Sequence, residues 1–112
     1  MTRPPAYIFN HLVDITPRLT RGSGGMIPGV VRLQRPAFID DTATKVTDER
    51  DGSQGQEIVA SGTVHTFLED YAAPGSTIVL RPGTPAERHV VVVAARYFDH
   101  VLAPEHAELS VI

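Results

Sequence analysis

The sequence predicts an all-β fold, a small barrel or sandwich of five to six short, mainly antiparallel strands with long loops and little helix. Three observations lead there. Nine Gly and nine Pro in 112 residues favour many turns over long helices. Several segments alternate apolar and polar residues with a period of two. The segment Thr77–Ala95 reads as a hairpin: Thr77-Ile78-Val79-Leu80, the turn-rich Arg81-Pro82-Gly83-Thr84-Pro85, then His89-Val90-Val91-Val92-Val93-Ala94-Ala95. Four consecutive valines suit a pleated surface, and apolar residues on both faces predict a strand buried on both sides.

The other elements follow in order. Met1–Pro5 reads as an extended arm, because Pro4 and Pro5 have no ladder donor. Ala6–Thr16 alternates, with Tyr7, Phe9, His11, Val13 and Ile15 on one face, and Pro17 ends the strand. Thr20–Pro28 contains Arg21-Gly22-Ser23-Gly24-Gly25 and reads as a flexible connecting loop. A phosphate-binding loop would need a preceding strand, a following helix and a Lys-Ser or Lys-Thr pair, and Pro28-Gly29-Val30-Val31 leads into a strand instead. Gly29–Phe38 is a second strand, with Val31 and Leu33 against Arg32 and Gln34 and an edge or bulge at Pro36. Residues 40–55 form a long, acidic, turn-rich loop without an apolar pattern, and loops of that length are functional or disordered. Gln56–Phe67 alternates, with Gly62 marking a bulge or close approach. Phe67–Ala73 forms one helical turn before Pro74-Gly75. After the hairpin, Arg96–Pro104 is a loop and Ala107–Ile112 a closing strand.

The length fits one domain, residues 1–112. The lack of cysteine excludes disulfide and thiolate chemistry. The longest apolar run, Val90–Ala95, is too short to span a bilayer, and Met1–Asn10 lacks the apolar region of a signal peptide; the expectation is a soluble, intracellular protein without membrane contact. A net charge of −3 argues against a general nucleic-acid binder. It is unevenly distributed: residues 1–39 carry +4 and residues 40–57 carry −4. A basic first third followed by an acidic segment suits a protein whose copies meet head to flank.

Chemistry is thinly supported. Five histidines invite a metal hypothesis, with Asp99-His100 and Glu105-His106 the densest donors, but Pro104 and a loop separate the pairs. A zinc site calls for regular spacing on a strand or helix, so surface or capping histidines are expected and no metal or other cofactor is assigned. No serine lies in a nucleophile elbow. The pairs Asp40-Asp41 and Glu69-Asp70 are chain neighbours that diverge on a strand, so neither is a natural acid/base dyad. Seven aromatics without an interleaved basic stripe give no stacking platform for single strands. No catalytic residue is assigned.

The order of the second half carries a resemblance. An Asp-Gly turn leads into Ile58-Val59-Ala60-Ser61-Gly62-Thr63-Val64. An acidic segment ends in Ala73-Pro74-Gly75-Ser76-Thr77-Ile78-Val79-Leu80, and the valine strand runs into Ala95-Arg96-Tyr97-Phe98-Asp99-His100. The chain closes with Pro104-Glu105-His106-Ala107-Glu108-Leu109-Ser110-Val111-Ile112. Over about Asp51–Ile112 this resembles the head-closure proteins, or head-to-tail stoppers, of tailed bacteriophages.

The resemblance implies a structural virion protein: a homo-oligomeric ring in the phage neck that closes the DNA-filled head and offers the tail a docking surface. Portal and adaptor proteins would lie on one side and tail proteins on the other, with double-stranded DNA passing through without sequence-specific binding. Within that frame Asp40, Asp41, Lys45, Asp48, Glu49 and Asp51 become the candidate channel or gating loop, since carboxylates facing a channel repel phosphates. Arg18, Arg21, Arg32 and Arg35 become candidate subunit contacts. Alternatives are a tail terminator or other neck ring, a small barrel binding nucleic acid or a small ligand, and a cupin-like metalloenzyme using His100 and His106.

Overall fold

Strand β1 (His11–Thr16) begins the barrel, with Val13 and Ile15 pointing inward and Pro17 ending it. It is the first of ten strands in a computed structural model that describes residues 8–20, 26–50, 52, 54–99 and 105–112. The others are β2 (Arg18–Thr20), β3 (Met26–Pro28), β4 (Arg32–Asp40), β5 (Thr44–Thr47), β6 (Glu57–Ala60), β7 (Gly62–Thr66), β8 (Thr77–Leu80), β9 (Arg88–Phe98) and β10 (His106–Val111). Six of them close on themselves in the order β1-β4-β7-β10-β9-β8, with every neighbouring pair antiparallel. Closure removes free sheet edges. The all-β expectation holds, and the architecture is the barrel.

The barrel is filled by alternate residues from all six strands. Val13, Ile15, Ala37, Ile39, Val64, Ile78, Leu80, Val90, Val92, Ala107, Leu109 and Val111 form one buried cluster together with Ala72. Each fully buried aliphatic side chain the size of valine or larger contributes about 1.5–3 kcal/mol. Outward positions on the same strands are polar or half exposed, as period two requires.

Two bulges set the details. Between Val13 and Ile15 the partner strand β4 carries one extra residue, and Gln34 takes a positive φ of 52° while its N–H donates to the Asp14 carboxylate at 2.8 Å. The inward face of β4 therefore starts late, at Ala37 and Ile39, and Leu33 is 67% exposed. The irregularity falls two residues before Pro36, which lies inside β4 opposite Leu12. The second bulge sets Val92 and Val93 of β9 against Val111. Both valines are buried but Val91 is only half-buried, so the expected double-sided burial holds for part of the valine run.

Three expectations need correction. Residues 40–55 are not a loop without structure: Thr44-Lys45-Val46-Thr47 is strand β5 and pairs with β6. Threonine is a good strand former, but β5 has only Val46 on a half-buried position, so no apolar alternation showed it. Arg96–Phe98, expected in a loop, continues β9 opposite His106–Glu108. Finally, Arg18–Thr20 and Met26–Pro28 pair as a hairpin at the ends of the segment read as a connecting loop. Gln56–Phe67 is two strands broken at Ser61. A Cβ on Gly62 would lie 2.7 Å from the Asp40 carbonyl oxygen, which is the close approach expected there. The N-terminal arm (residues 1–5) lies outside the described residues.

The helical turn before Pro74-Gly75 is a 3₁₀ turn, Leu68–Asp70. Phe67 beside it meets Phe9 edge-on at 4.8 Å, both buried.

Candidate functional site

β4 continues through residues 41–43 into β5, and β6 continues through Ser61 into β7. The pairs β4–β7 and β5–β6 thus form one long hairpin, of which β5–β6 is not part of the barrel sheet. The tip is closed by the Asp48 N–H donating to the Gln56 carbonyl at 2.8 Å. It is latched to the barrel by Glu49, whose N–H donates to the Val93 carbonyl at 2.7 Å and whose carboxylate accepts the Ala95 N–H at 2.9 Å. β8 pairs with β9 only as far as Thr77–Val91, so this is a stretch of β9 that β8 leaves open.

The carboxylates of the expected gating loop are tied down locally. Asp40 accepts the Thr42 N–H at 3.0 Å, and Asp41 meets Arg81 at 3.2 Å. Asp48 is buried and takes a two-point grip from Arg50, with its closest approach 2.7 Å. That guanidinium, with help from the Arg50 backbone N–H, holds the Asp48 carboxyl below its ordinary range, and the Asp48 carboxylate raises the Arg50 value in turn. Lys45 reaches Glu57 at 3.8 Å with both side chains exposed. Asp51 lies outside the described residues. The hairpin and β9–β10 together line a polar cleft of about 490 Å³ with Lys45, Thr47, Glu49, Glu57, Arg96 and Ser110.

Of the basic residues, Arg32 and Arg35 converge on one buried acid, Asp70, which is 1% exposed. Arg35 Nε lies 2.9 Å from both carboxylate oxygens, and Arg32 approaches one of them at 3.2 Å and also donates to the Glu69 carbonyl. Burying Asp70 requires such compensation. Arg18 donates to the Pro74 carbonyl at 2.9 Å and its backbone N–H to the Ser76 hydroxyl at 2.9 Å. These three arginines bind the chain to itself, and Arg21 lies outside the described residues.

A second constellation escaped sequence reasoning. A row of rings crosses the outer wall from β1 to β9: His11 stacks on Phe38 at 5.7 Å, Phe38 faces His65 at 5.8 Å, His65 lies 6.3 Å from His106, and His106 stacks on Phe98 at 4.7 Å. In this row Glu108 Oε2 lies 3.1 Å from His106 Nε2 and 3.8 Å from His65 Nδ1. A signal exists in the chain: His106-x-Glu108 places two donors on one face of the closing strand, and His65 falls on the outward face of its own alternating run. Their meeting depends on register, because Glu108 pairs directly with His65. His100, the other half of the donor set expected from sequence, lies outside the described residues.

The fold and these sites define a closed six-stranded antiparallel barrel with a latched acidic hairpin and an outer imidazole row. No protein-family model, curated protein or solved structure matches this chain.

Proposed function

We propose that this protein is a structural subunit of the bacteriophage neck: copies form a ring that closes the filled head and docks the tail. The observation that carries the reading is the β5–β6 hairpin, a strand-paired extension of barrel strands β4 and β7 within a segment of net charge −4. A paired, latched hairpin presents its charge at a fixed place, where DNA phosphates would be repelled and could slide without adhering. The closed barrel supports it further. Each barrel strand is paired on both sides over much of its length, so side-chain contacts between copies are favoured, and the exposed apolar residues Val30, Val31 and Leu33 offer such a contact.

The neighbours in this reading are portal or adaptor proteins on one face and tail proteins on the other, in the assembled virion. Gating becomes release of the Glu49 latch from β9, a change between two discrete arrangements rather than the ordering of a loose loop. Negative-stain imaging of the protein mixed with a portal complex tests the reading. A ring stacked coaxially on the portal supports it. A stable monomer that ignores the portal and binds oligonucleotides instead contradicts it and favours a small binding barrel.

A further inference from the structure

We propose that His65, His106 and Glu108 form a zinc site on the outer wall of the barrel, with water completing the coordination. The donors come from two adjacent strands. His106 and Glu108 are two apart on β10 and share its outward face, and His65 of β7 is the direct cross-strand partner of Glu108.

The distances fit a tetrahedral ion. Zinc bonds of about 2.0–2.2 Å place two ligand atoms about 3.3 Å apart. Glu108 Oε2 lies 3.1 and 3.8 Å from the two imidazole nitrogens, and all three ligand atoms fall within 4.8 Å of one another. Closing the widest gap takes about 1.5 Å at most, within reach of small side-chain rotations. The shared carboxylate oxygen facing both nitrogens is an arrangement in which a divalent ion replaces a hydrogen-bonded proton.

The surroundings hold the ligands in place. Phe98 lies parallel to His106, with 10° between planes, and Phe38 packs against His65. The three side chains are 20–34% exposed, enough for entry and for a fourth, solvent ligand. Two imidazoles and one carboxylate suit a borderline-soft ion such as Zn²⁺, whereas Mg²⁺ and Ca²⁺ want oxygen shells. The ion would tie closing strand β10 to β7. This site is independent of ring formation.

The test is titration of the untagged full chain, stripped with chelator and dialysed, with Zn²⁺ by calorimetry and with Co²⁺ by visible absorption. One ion per chain is expected, and four-coordinate Co²⁺ bands. His65→Ala, His106→Ala and Glu108→Gln should each weaken zinc by more than about tenfold. His89→Ala, whose ring pairs with Glu87 at 3.3 Å, should leave binding unchanged. Circular dichroism checks each variant's fold, and if the ligand variants do not fold the wild-type Co²⁺ spectrum decides. Absent stoichiometric binding, binding that survives all three ligand substitutions, a six-coordinate Co²⁺ spectrum, or preference for Mg²⁺ or Ca²⁺ would overturn the site.

Discussion

At the scale of single residues, several charged groups among the described residues hold the chain together. Asp70 is the clearest case, because a carboxylate 1% exposed survives only through its arginines. The two are not equivalent. Arg35 grips both oxygens, whereas Arg32 reaches one of them with a side chain 45% exposed. Arg35→Ala should therefore cost about 1.5–3 kcal/mol in chemical denaturation. For Arg32→Ala the expected loss is at most about 1 kcal/mol; equal losses would mean that the geometry does not set the energetics. Asp48 gives a pH signature. Its folded carboxyl value is depressed by Arg50, so its contribution is present above the unfolded value of about 3.9 and is lost as pH falls through the lower folded value. Asp48→Asn should lower the melting temperature at neutral pH, and the difference from wild type should shrink as the pH drops below about 4. A difference that stays constant down to acid pH would point to packing instead.

At the scale of elements, the long hairpin β4-β5/β6-β7 turns on Gly62. A Cβ there meets backbone, the Asp40 carbonyl oxygen at 2.7 Å, which no side-chain rotation relieves. Gly62→Ala should cost about 1–3 kcal/mol, measured by urea unfolding. A neutral result would show that the two strands can separate at this crossing without loss. Gly62 was legible in the sequence because a glycine that interrupts an alternating run marks a bulge or a close backbone approach. So were β1, β8 and the centre of β9, where β-branched and apolar residues dominate. β5 was not, because Thr-Lys-Val-Thr carries propensity without alternation. The facing of β4 was not legible either: the Gln34 bulge shifts its register, and nothing local in Leu33-Gln34-Arg35 announces a positive φ at glutamine. The ligand trio lay beyond sequence reading for a related reason. His65 and His106 are 41 positions apart, and only closure of the barrel brings β7 beside β10.

At the scale of the whole molecule, a closed barrel with its acidic hairpin latched is suited to holding shape, which is what the proposed ring asks of a subunit. Sequence reading reached the architecture through turn density, alternation and the valine hairpin. It did not reach the internal use of Arg18, Arg32 and Arg35, because their partners Pro74, Ser76 and Asp70 lie 35 to 58 positions away in sequence and meet them only in the fold. Native mass spectrometry of the purified chain is the sharpest check on the proposed ring. A closed multiple of the 12.1 kDa subunit is expected, alone or on a portal template, with dissociation to folded monomers in Leu33→Asp. A wild-type chain that stays monomeric at every concentration and with the portal present would contradict it.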